Sequence, residues 1–175
     1  MNTTLETVNQ FIDWTQFKMT LDHSGSYGFP RKKEIWWASL GRNVGVEING
    51  KNQRFERPVI VIIAFNAESF LVIPISSKIK NHEYLYKFVG NTGEENVAVL
   101  SQPRSVSIKR FLRKVGEIDD ITFNDIVDRF IGFLHKTKVP LCGTFSESST
   151  GGSNETETPL KASSELPEGN LMQQV

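Results

Sequence analysis

The run Pro58-Val59-Ile60-Val61-Ile62-Ile63-Ala64-Phe65 constrains this chain more than any other segment. Branched side chains at consecutive positions favour a strand and leave neither of its faces polar, so the strand must be central and covered on both sides. Around it, Glu34-Ile35-Trp36-Trp37-Ala38-Ser39 reads as a second strand, and Asn66-Ala67-Glu68-Ser69 reads as a hairpin connection into Phe70-Leu71-Val72-Ile73-Pro74. Shorter strands are predicted at Tyr84 to Phe88 and Val97 to Leu100. Short, closely spaced strands make a small barrel or roll.

Helical periods flank this β region. Thr3-x-x-Glu6 reads as a capping box, and Leu5, Val8, Ile12 and Thr15 follow at helical spacing with Phe11 and Trp14 beside them. The Ser, Gly, Tyr and Pro residues between Asp22 and Pro30 form a linker, which makes the first helix an appendage. Thr122-x-x-Asp125 starts a second helix. Its Phe123, Ile126, Val127, Phe130, Ile131 and Leu134 form a stripe that packs on the sheet, and Pro140 stops it. After Gly143, Ser, Thr, Gly, Glu and Pro dominate, with five Glu against one Lys, so no apolar burial offsets the entropy of ordering. The predicted organisation is a helix and linker at 1–30, a β domain at 31–143 and a disordered acidic tail at 144–175.

A chain of 175 residues, 38% apolar, has material for one core but hardly for two. Lys+Arg and Asp+Glu are both 20, so no global positive field points to nucleic acid, and any such contact must come from a local patch. Cys142 is the only cysteine, and His23, His82 and His135 are scattered without ligands at metal spacing. No disulfide, metal or cofactor is therefore expected. No apolar run approaches the roughly 20 residues of a membrane helix, and no export signal is visible, so a cytoplasmic location away from membranes is predicted. Phosphate loops, nucleophile elbows and dinucleotide fingerprints are missing too.

Three polar clusters adjoin strand ends. Arg57 enters the buried strand, and its forked donors suit a phosphate or a phosphorane transition state; a surface ion pair with Glu56 or Glu47 is the plainer alternative. Ser76 and Ser77 end the hairpin's second strand, where hydroxyls can donate to a phosphate oxygen or satisfy the strand's last backbone groups. Lys78 and Lys80 follow, and with Arg31, Lys32, Lys33, Lys109, Arg110, Arg113 and Lys114 they can line a basic groove or form a solvated face.

In order, Glu34-Ile35-Trp36-Trp37-Ala38-Ser39-Leu40-Gly41, Gly45-Val46-Glu47, Arg57-Pro58-Val59-Ile60-Val61, Pro74-Ile75-Ser76-Ser77-Lys78 and Leu100-Ser101-Gln102-Pro103-Arg104 resemble the MazF/PemK toxin family block by block. The resemblance spans about Lys33 to Leu134. It implies a mainly β fold, an SH3-like barrel of the MazF/PemK/CcdB type, here with an N-terminal helix and a C-terminal amphipathic helix. It also implies a homodimer, metal-independent cleavage of single-stranded RNA, restraint by a cognate antitoxin, and contact with operator DNA only through the antitoxin complex. On the same footing, Arg57 stands at the family's catalytic arginine, Ser76 replaces the usual threonine, and Glu47 matches the acidic residue before the arginine loop. Ser77, Lys78, Lys80, Gln102 and Arg104 fall to RNA binding. The histidine and aspartate used in the PemK branch are replaced by Val46 and Ser101. The loop Ile48 to Glu56, with its turn-forming Asn49-Gly50-Lys51-Asn52-Gln53, is longer than in the shortest members and is expected to be mobile. A non-catalytic SH3-like module, or a gyrase poison of the CcdB kind, is the alternative.

Overall fold

Alternation along β2 (Glu56–Ala64) explains its unbroken apolar run. Val59 and Val61 point into one hydrophobic cluster, with Trp36, Leu40, Phe70, Val72 and Phe111. Ile60 and Ile62 point into another, with Ile73, Ile75, Leu100, Phe123 and Ile126. Val59, Ile60 and Val61 are fully buried, each side chain contributing on the order of 1.5–3 kcal/mol. The computed structural model describes residues 4–25, 28–78, 82–90 and 93–136. The chain divides into units Met1–Val139 and Pro140–Val175. The second unit, with the expected stop at Pro140 and the expected acidic tail, lies outside the described residues.

The remaining strands are β1 (Glu34–Ser39), β3 (Ser69–Ser76), β4 (Leu85–Val89), β5 (Glu95–Val99), β6 (Arg104–Ser107) and β7 (Phe111–Glu117). All pairings are antiparallel, in the order β4-β5-β3-β2-β1-β7. Along its second edge β3 is shared: Ser69 to Val72 pair with β6, while Ile75 and Ser76 pair with β5. The expected closed barrel is not found, because among the described residues nothing pairs β4 or β6 with β7. The architecture is an antiparallel sheet with two helices. β6 and β7 escaped the sequence reading.

The helix α2 (Asp120–His135) inserts Phe123 and Ile126 into the second cluster, with Val127, Phe130 and Phe133 beside them. Its cap is Asp119, not Thr122: the Asp119 carboxylate accepts from the Thr122 amide at 2.9 Å and from its hydroxyl at 2.7 Å. The helix α1 (Leu5–His23) is likewise capped one residue away from the expected Thr3, by Thr4, whose hydroxyl accepts from the Thr7 amide at 3.4 Å.

Helix α1 is docked rather than appended. Trp14 and Leu21 are buried, and the Trp14 ring lies 5.3 Å from that of Phe55. The Arg110 guanidinium sits 5.4 Å from the same indole. Gly41, at φ +94°, makes room for it, since a Cβ there would meet the indole at 2.4 Å. Among the described residues no helix is long and apolar enough to cross a membrane.

Candidate functional site

Arg57 reaches the end of β3 through its side chain. The ladder of β2 with β3 stops at Val59 and Pro74; Arg57 itself pairs with Ala38 of β1, and Ser76 with Val97 of β5. Arg57 Nη1 donates to the Ile75 carbonyl at 3.2 Å and Nε to the Asn49 carbonyl at 2.8 Å. The guanidinium is half-buried, and burial pushes it below its ordinary value, although an arginine so placed stays charged. The alternative of an ion pair with Glu56 or Glu47 is overturned. Adjacent residues on a strand face opposite ways, and Glu56 turns to β7, where Arg113 donates to its carboxylate twice, at 2.8 and 3.1 Å. Glu47 makes no ion pair among the described residues; it accepts from the Val44 amide at 3.4 Å. Arg57 is thus a half-buried cation held by two neutral acceptors, with donors to spare for an anion.

Ser76 is partly exposed, and its hydroxyl oxygen accepts from the Lys78 amide at 3.1 Å, shaping the turn after β3. Ser77 and Lys78 are exposed beside it, while Lys80 lies outside the described residues. Gln102 clamps the segment before the long loop. Its Oε1 accepts from the Ile48 amide at 2.6 Å and its Nε2 donates to the Val46 carbonyl at 3.0 Å. Arg104 donates to the Leu40 carbonyl at 3.3 Å. Glu47, Gln102 and Arg104 line a groove of about 500 Å³. Arg57 does not line that groove but joins its wall through Asn49, the residue after Ile48.

The long loop is pinned. Lys51 and Glu56 exchange two backbone hydrogen bonds at 2.8 Å, and the Gly50 amide donates to the Gly41 carbonyl at 2.8 Å. Gly50 packs so closely on Phe55 that a Cβ would lie 1.7 Å from its carbonyl oxygen. Asn49 Oδ1 accepts from the Asn43 amide at 2.6 Å, which fixes the carbonyl that holds Arg57. Sequence reasoning missed Asn49, and no signal was available, because its contribution to Arg57 is a backbone oxygen that any residue carries.

Of the cations that can line a basic groove or form a solvated face, four are taken up by carboxylates. Lys33 pairs with Asp120 at 2.9 Å, Lys109 with Asp22 at 3.2 Å, Arg113 with Glu56 at 2.8 Å and Lys114 with Glu34 at 2.6 Å. Arg110 donates to the Ser39 carbonyl at 2.9 Å, and burial, with Arg104 nearby, pushes its guanidinium below the ordinary value. Among the described residues no cluster of His, Cys, Asp and Glu is arranged to hold a metal ion.

The buried acids predict a pH response. Hydrogen bonds from Arg113 hold the Glu56 carboxyl below its ordinary value of 4.5, against desolvation. A carboxyl depressed on folding contributes stability that is complete above its unfolded value and is lost as pH falls through the folded one. As pH falls below the ordinary value of 4.5 the melting midpoint should therefore drop, and Glu56→Gln should lessen the drop. Equal slopes for the two proteins would remove Glu56 as a contributor.

Residues 31–134, more than half of the chain, match the family described as PemK-like, MazF-like toxin of type II toxin–antitoxin system. Among curated proteins no sequence match was found. The crystal structure of MazF from Deinococcus radiodurans is similar at 16% identity with a TM-score of 0.51, covering 61% of this chain and 97% of that one. An endoribonuclease from a mycobacterial species in complex with its cognate antitoxin aligns at 9% identity with a TM-score of 0.48, covering 60% of this chain and 94% of that one. The five sequence blocks fall within the matched residues, and the chain belongs to the PemK-like, MazF-like toxins of type II toxin–antitoxin systems.

Proposed function

We propose that this toxin is an endoribonuclease that cleaves single-stranded RNA without a metal, leaving 2′,3′-cyclic phosphate and 5′-hydroxyl ends. The observation that carries the reading is Arg57: half-buried, without a carboxylate partner among the described residues, and bonded to the carbonyl of Ile75, the residue before Ser76. In the reaction the 2′-oxygen forms a bond to the adjacent phosphorus, its proton passes to a base, and the bond to the 5′-oxygen breaks as that oxygen takes up a proton. Arg57 stabilises the extra negative charge of the phosphorane. Ser76 donates to a non-bridging oxygen and fixes the phosphate. Glu47, an exposed carboxylate on the neighbouring groove, is assigned the proton-accepting role. Ser77, Lys78, Lys80, Gln102 and Arg104 are assigned to the RNA strand, and the need for a free 2′-hydroxyl and splayed bases favours single strands.

Family membership supports the rest of the reading: a homodimer in the cytoplasm, inhibited by a cognate antitoxin, that reaches operator DNA only within the antitoxin complex. The direct test is incubation of the purified protein with a long single-stranded RNA in EDTA. Discrete fragments with cyclic phosphate ends are expected, and intact RNA at high protein concentration would refute the reading.

The hydroxyl gives a graded prediction. Ser76→Ala should slow cleavage by about tenfold, less than loss of the arginine charge, and Ser76→Thr should stay active because the hydroxyl survives. Single-turnover rates decide it, and an inactive Ser76→Thr would contradict the assignment.

A further inference from the structure

The largest cleft described lies not at Arg57 itself but next to it, between α1 and the β1–β2 connection, with a volume of about 770 Å³. This is within the roughly 300–1,000 Å³ of clefts that hold small ligands. Its lining is amide-rich, with Gln16, Asn49 and Gln53 among the contributors, and Asp13, Phe17 and Phe55 also face it. The side chains of Gln16 and Gln53 make no hydrogen bond among the described residues, and both residues are exposed. At the same cleft, Arg42 Nε is buried without a hydrogen-bond partner, its guanidinium 5.5 Å from the Phe11 ring.

We propose that this cleft is a nucleobase subsite, in which α1 and the β1–β2 loop together read a base beside the scissile phosphate. The proposal rests on the RNA-cleaving reading above. Three features suit a base. Amides offer both donors and acceptors, as Watson–Crick edges require. Asp13 places a carboxylate in the cleft, beside Arg42 and Lys51, that accepts from the exocyclic amine of cytosine. Phe17 and Phe55 are only partly buried and give an apolar wall for a base's π face.

Asn49 supplies the geometric link. It lines this cleft while its carbonyl holds Arg57 Nε at 2.8 Å, so a nucleotide in the cleft neighbours the one whose phosphate meets Arg57. Helix α1 lies outside the family match at residues 31–134, and the subsite joins it to the matched domain.

The test is cleavage of a random-sequence single-stranded RNA pool by the full-length protein, with the cut ends sequenced, together with KM and kcat on one preferred oligonucleotide. The double variant Gln16→Ala/Gln53→Ala should raise KM about tenfold, leave kcat within about twofold, and flatten base preference at one position next to the cut. Asp13→Asn, close in shape, should shift preference at that same position. If the wild type cuts RNA while both variants keep its KM and base preferences, the subsite is overturned and the cleavage reading stands. If the wild type neither cuts nor binds the pool, both fall together.

Discussion

Arg57→Ala should lower RNA cleavage by about 10²- to 10³-fold while the protein remains folded, because a preorganised charge aimed at a developing oxyanion is commonly worth that much. Structural damage should be small. The side chain contributes two hydrogen bonds to the Asn49 and Ile75 carbonyls, and their loss costs about 1–3 kcal/mol in all. The core clusters on the two faces of β2 do not include it. Arg57→Lys separates charge from geometry: an ammonium cannot reach both carbonyls and a phosphate as a planar fork does, so it should recover only a small part of the rate. Single-turnover cleavage beside circular dichroism decides the matter, and a variant as fast as the wild type would remove Arg57 from the mechanism.

The largest effect on stability is expected from Trp14→Ala, at about 3 kcal/mol or more. Trp14 is 8% exposed and fills the space between α1, Phe55 and the backbone at Gly41. Without the indole the Arg110 guanidinium loses its aromatic partner, and α1 keeps only Leu21 as a buried anchor. Leu5→Ala on the same helix should change little, since Leu5 is 76% exposed. Urea denaturation of the two variants gives the comparison, and a Trp14→Ala midpoint close to that of Leu5→Ala would mean that the helix is indeed an appendage.

What the sequence disclosed followed the strength of its local signals. β2 was legible because branched residues on both faces admit one reading, and α2 because its stripe keeps one period. β7 was not, because Phe111 and Leu112 are buried in succession while Arg113, Lys114 and Val115 are all exposed, which matches no strand period. The capping residues were displaced because Thr4 and Asp119 are N-cap residue types as suitable as Thr3 and Thr122 although neither opens a capping box, and only backbone geometry chooses between them. At the site, Arg57 and Ser76 were legible through the wording of their blocks. The pairing of the basic residues was not legible: counting cations cannot reveal which of them will be taken up by Glu34, Glu56, Asp22 and Asp120 across the fold.

The open sheet has a consequence for how this protein behaves in a crowded solution. β7 ends the strand order, so its outer row of amide and carbonyl groups could template a strand from another molecule. Two irregularities in its pairing with β1, between Ile35 and Trp36 and between Trp37 and Ala38, break the flat repeat that such templating requires. Arg113 and Lys114 place charge along the same margin, tied back to Glu56 and Glu34. Ion pairs of this half-exposed kind add little to folding stability. Their larger service is to keep the margin hydrated, which with the two irregularities disfavours unplanned strand pairing along it.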